Sequence, residues 1–216
     1  MFAAQKIGSR KLYWLLLTGL SLTLGAAGQG TFIYDQQSGD ESTGNGPSLA
    51  IQAFPPFGQS FTPLNSTIGF VRLNCADNQP GNNTGATVQV NLHSDSITGP
   101  IVDSTTPVLM PDNFGRGSLG FVNFFFPTPV SVTPGLTYYF EVVVLSGDPW
   151  SLDVYTYRYP GGVIIESGIP APPSSSVDMW FREGIVVPEP SSLTLLIGSG
   201  VLFYVGRKKI KMRSRT

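Results

Sequence analysis

His93 is the only histidine in the chain, and that removes most imidazole chemistry from consideration. A His-x-x-x-His zinc site needs two imidazoles, and a Ser-His-Asp arrangement has one base to recruit. In Ala86 to His93 the positions Gln89, Asn91 and His93 alternate with Val88, Val90 and Leu92, which places the imidazole on the solvent face of a strand. There is no Gly-x-Ser-x-Gly, no phosphate-cradling loop and no Gly-x-Gly-x-x-Gly beside a strand-helix unit. Glycoside hydrolysis needs only two carboxylates at a suitable separation, and Asp148, Asp153, Glu166 and Asp178 lie near expected strand ends. No spacing in the sequence sets two of them across a cleft. The chain reads as a non-enzyme.

Two kinds of binding chemistry remain. Flat rings stack on pyranose faces, and Trp150, Tyr155, Tyr157 and Tyr159 fall within ten residues, the three tyrosines at a strand's period of 2. Such a stripe is either a sugar platform or a set of core rings. Asp77, Asn78, Asn82 and Asn83 sit in a polar loop, Asp77 to Gly85, and supply the hard oxygens that a structural Ca²⁺ takes. No other cofactor is expected. Cys75 is the single cysteine, so no internal disulfide forms, and it reads as a small buried hydrophobe.

The 216 residues carry their charge in blocks. Lys6, Arg10 and Lys11 precede the first apolar run, and six basic residues follow the last one. Between them, from Asp35 to Glu189, four arginines face all fourteen acidic residues and leave −10. A body that acidic repels phosphate backbones, which excludes nucleic acid as a partner.

Residues 1–28 are laid out as a secretory signal peptide: a short basic start, an apolar run from Leu12 to Leu24, and a small-residue exit for signal peptidase after Ala27 or Gly28. Residues 29–183 form the expected exported domain, and 184–190 a linker. Residues 191–206 read as a transmembrane helix and 207–216 as a basic cytoplasmic tail, by the positive-inside rule. The helix, about 24 Å at ~1.5 Å per residue, is short for a bilayer core of ~30 Å. It suits a transient inner-membrane anchor.

Val187, Pro188, Glu189 and Pro190, then a short apolar helix, then Arg207, Lys208 and Lys209, resemble the PEP-CTERM sorting signal of Gram-negative bacteria. The resemblance covers 187–216. It implies cleavage by an exosortase, a membrane-embedded cysteine protease, and a host that secretes exopolysaccharide.

The elements that must position the body's side chains read as strands. Short β-rich runs separated by Gly, Pro, Asn and Asp predict an all-β sandwich: Thr67 to Asn74, Ala86 to His93, Leu119 to Phe126, Leu136 to Leu145, Trp150 to Tyr157 and Asp178 to Glu183. Phe124, Phe125 and Phe126 predict a central strand covered on both faces. Thr133-Pro134-Gly135 predicts a tight turn. The succession Val132 to Tyr138, Tyr159-Pro160-Gly161-Gly162 and Asp178 to Arg182 resembles a jelly-roll-like module of secreted bacterial proteins, with no agreed activity implied. Two readings result: a non-enzymatic surface or extracellular-matrix protein held in extracellular polysaccharide, or a carbohydrate-binding module using the surface aromatics.

Overall fold

The computed structural model describes residues 30–44, 46, 48–117, 120–172 and 175–188. The signal peptide at 1–28, the helix at 191–206, the tail at 207–216 and the start of the expected strand at Leu119 lie outside the described residues. The strands are β1 (Thr31–Gln37), β2 (Leu49–Ala50), β3 (Gly58–Phe61), β4 (Thr67–Asp77), β5 (Ala86–Ser94), β6 (Ile101–Ser104), β7 (Val108–Met110), β8 (Phe121–Ser131), β9 (Tyr138–Gly147), β10 (Trp150–Leu152), β11 (Val154–Tyr155), β12 (Ile164–Glu166), β13 (Ile169–Pro170), β14 (Asp178–Met179) and β15 (Phe181–Val187). One 3-10 turn, Ile51–Ala53, interrupts them.

Two antiparallel sheets carry the architecture. The first runs β1-β15-β4, with β8 on the other edge of β4 and β10 continuing beside β4 to β2. The second runs β13-β12-β3-β9-β5-β6, with β7 also on β5. The chain changes sheet at nearly every long strand. The alternation expected from the sequence supplies the interface: Val88, Val90 and Leu92 of β5 and Phe140 and Val142 of β9 meet Ile68, Val71 and Leu73 of β4 and Phe124 of β8 in one core. Burying each such side chain contributes about 1.5–3 kcal/mol.

Turn chemistry fixes the connections. Gly135 takes φ +80 in the Thr133 turn, where Leu136 N–H donates to Thr133 O at 3.2 Å. That conformation suits glycine because it has no Cβ to clash. Gly58 lies so close to the Phe140 carbonyl of β9 that a Cβ would overlap it.

Four expectations change. Phe125 is 41 % exposed and among the described residues β8 has β4 as its one strand partner, so the triple phenylalanine marks an outer strand, not one covered on both faces. Its ring is held against Phe32 and Phe70 at 6.1 Å each on the outer side of the sheet. The Trp150 to Tyr157 segment is not one strand: β10 pairs with β4 and β2, then β11 crosses to β14. The domain does not end at Glu183, because β15 runs on to Val187 and takes four residues from the expected linker. His93 is buried, not solvent-facing: Nδ1 lies 2.9 Å from Gly99 O and Nε2 3.3 Å from Glu141 Oε2, with the turn after β5 folded over it.

Candidate functional site

The carboxylates Asp153 and Asp178 are both buried, and both are nodes of polar networks inside the fold. Asp153 Oδ2 accepts from Asn74 Nδ2 at 2.9 Å and lies 2.9 Å from the Tyr157 hydroxyl. Asn74 Oδ1 in turn accepts the Gly120 N–H. Asp178 Oδ1 accepts from Gln59 Nε2 and its Oδ2 accepts the Tyr159 N–H, each at 2.9 Å. Gln59 Oε1 accepts the Met179 N–H, so β3, β14 and the Tyr159 turn are stitched together in the interior. Burial raises the Asp178 carboxyl above the ordinary range, although both acceptor bonds oppose it. Asp148 and Glu166 are half-buried and belong to other parts of the molecule.

The aromatic platform does not form. Trp150, Tyr157 and Tyr159 are buried and only Tyr155 faces solvent, because the strand ends at Tyr155 and the period of 2 lapses. Trp150 packs on Phe114 at 5.9 Å. The Tyr159 hydroxyl donates to Gln36 Oε1 at 3.0 Å and accepts the Thr62 N–H, while its ring sits edge-on to Phe181 at 5.0 Å. Burial pushes this phenol up to about 12.

The loop with Asp77, Asn78, Asn82 and Asn83 is closed by its own hydrogen bonds. Asp77 accepts the Gln79 and Asn113 N–H groups, and Asn82 Oδ1 accepts the Thr84 N–H. Asn82 Nδ2 donates to Asp148 Oδ2 at 2.7 Å. Asn83, at φ +62, presents its N–H to Asp112. Arg116 donates to the Asp77 carbonyl and to Asn78 Oδ1. A guanidinium therefore lies against two of the oxygens, the Asp77 carbonyl and Asn78 Oδ1, that a Ca²⁺ in this loop would take. Among the described residues no three His, Cys, Asp or Glu side chains converge to hold a metal ion. Cys75 lies in the core, where burial pushes its thiol well up.

Glu183 is the residue that sequence reasoning missed. It is fully buried, and its carboxyl oxygens make no well-aligned hydrogen bond among the described residues, with the Asp35 carboxyl and the Gln36 backbone as its polar neighbours. Burial, and then the charge of Asp35 beside it, push its pKa up to about 9. Asp35 itself accepts the Leu64 and Asn65 N–H groups at 2.8 and 2.9 Å. The signal was available: Glu183 has the same parity on its strand as Phe181, which faces the core.

Two open concavities among the described residues lie elsewhere. One, of about 530 Å³, is lined by Arg158, Pro160, Gly162, Val163, Ser175, Val177 and Asp178. Its neighbour, of about 430 Å³, shares Ser175 and Val177 and adds Ile164, Glu166, Ile169 and the Pro170–Pro172 run.

Val187, 40 % exposed, ends β15, and Pro188 follows it in the open. Glu189, Pro190, Arg207, Lys208 and Lys209 lie outside the described residues. Among the described residues no helix is long and apolar enough to cross a membrane. Residues 186–209 match the PEP-CTERM protein-sorting motif, so the chain carries the sorting signal of this class of exported proteins. The motif implies a protein processed at the membrane with an exosortase as its processing partner. No curated protein and no solved structure matches the chain.

Proposed function

We propose that the body is a non-enzymatic, jelly-roll-like module, delivered by exosortase sorting to the cell surface or extracellular matrix and held there in exopolysaccharide. The observation that carries this reading is the sorting motif at 186–209, beginning within the last strand of the body. The strand orders β1-β15-β4-β8 and β3-β9-β5-β6, with the chain alternating between them, support the jelly-roll reading. The commitment of Asp153 and Asp178 to buried networks supports a body without hydrolytic chemistry. Signal peptidase and a transient stay in the inner membrane complete the route. The test is fractionation of the native cells with mass spectrometry of the surface and matrix fractions. Protein lacking the residues from about 191 onward is the expected result. Recovery of the 207–216 peptide with protein from the cell surface overturns the reading.

A further inference from the structure

Three of the body's four arginines are committed within the fold. Arg72 pairs with Glu41 at 2.7 Å and with Asn123, and its guanidinium stands over the Phe121 ring. Arg116 closes the Asp77 loop, and Arg182 donates to Gln37 while stacking on Tyr34 at 3.6 Å. Arg158 is exposed and, among the described residues, makes no hydrogen bond, ion pair or ring contact. It lines the 530 Å³ cleft, in a body of net charge −9. A guanidinium offers donors only, in a planar fork that matches a carboxylate.

The rest of the cleft orients such a ligand. Asp178 also lines the cleft with both carboxyl oxygens already accepting hydrogen bonds, so an anionic group is favoured at Arg158 and hydroxyl groups elsewhere. Ser175 Oγ accepts the Val177 N–H at 3.2 Å, which leaves its own proton to donate. Val163, Val177 and Pro160 give aliphatic walls for the C–H faces of a ring. The adjoining 430 Å³ concavity has an apolar wall at Ile169 and Pro170 but holds Glu166, which disfavours a second acid there. Each concavity falls in the range of ~300–1,000 Å³ that small ligands occupy.

We propose that this double cleft binds an acidic saccharide in which a carboxylated sugar, seated on Arg158, is followed by a neutral sugar beside Glu166. The proposal rests on the reading of the body as a matrix protein and names the class of polymer it meets there.

The test is calorimetric titration of the full chain in detergent micelles with three probes: a hyaluronan tetrasaccharide, which alternates acidic and neutral sugars, a tetragalacturonate, and neutral chitotetraose. The hyaluronan fragment should bind most tightly and weaken with salt, with the other two at least tenfold weaker. Arg158→Ala should lose at least tenfold affinity with an unchanged melting temperature, and Arg158→Lys should recover part of it. Equal binding by Arg158→Ala, equal binding of chitotetraose, or displacement by sulfate at the same concentration overturns the proposal. No binding of any probe by a protein that is correctly trimmed in its native cells overturns the cleft alone. A retained tail overturns the reading beneath it, whatever the titration shows.

Discussion

Replacing Glu183 by glutamine should make the protein more stable at neutral and alkaline pH. The carboxyl is buried beside the Asp35 carboxyl and the Gln36 backbone, and Asp35 and Tyr159 are the titratable groups around it. Its pKa is raised from 4.5 to about 9 in the folded chain. Below pH 4.5 both folded and unfolded states hold the proton and the site costs nothing. Above it, the unfolded chain ionises while the folded chain does not, so stability falls by up to ~1.4 kcal/mol per pH unit until the folded group also ionises near pH 9. At pH 7 the full shift corresponds to roughly 3 kcal/mol, and local entry of water reduces that to about 2. Glutamine has nearly the same volume, cannot ionise, and its amide can donate to Asp35. For a domain of this size the gain is roughly 4–8 °C in Tm at pH 7–8. Thermal melts of both chains from pH 4 to 9 should show curves that meet near pH 4.5 and diverge upward. A constant gap across that range, or a variant less stable at pH 8, refutes the reasoning.

Glu189→Ala in the native host should leave the protein in the membrane fraction at higher mass, checked by immunoblot after fractionation. Arg116→Ala strips a charged donor from the Asp77 carbonyl and Asn78 Oδ1. It should cost about 1–3 kcal/mol in a urea melt. Because Arg116 and backbone N–H groups already occupy the loop's oxygens, millimolar Ca²⁺ in place of EDTA should leave the wild-type Tm unchanged. Cys75, buried with its thiol pKa raised, should resist thiol reagents in the native chain and react only after denaturation, as followed by mass spectrometry.

The parts of the fold that were legible are those where polarity and burial agree. Val88, Val90 and Leu92 alternate with polar neighbours and all three point into the core. The Thr133 turn was legible because Pro134 and Gly135 each have one conformational use. β3 was not, since Gly58, Gln59 and Ser60 carry no apolar alternation, yet all are buried in the interior of the second sheet. What holds them there is hydrogen bonding to Asp178, Met179 and Val163, partners more than 100 residues away. The aromatic stripe misled because period 2 constrains side chains only while the strand lasts. At the candidate sites the acids were visible by type, but whether each is buried, bonded or open is a property of the tertiary structure. Arg158 differs from Arg72 only in what surrounds it.

The position of β15 has a consequence for timing. It is the last strand of the body to be made, yet it lies between β1, the first, and β4. During vectorial export the first sheet stays split, with the facing edges of β1 and β4 unpaired, until Val187 has crossed. Unpaired edges are sites of aggregation and of mistaken pairing. The sorting motif begins at residue 186, inside this same strand. Completion of the sheet and delivery of the processing signal therefore arrive together, and a chain truncated before β15 would be both unsorted and unable to close its fold.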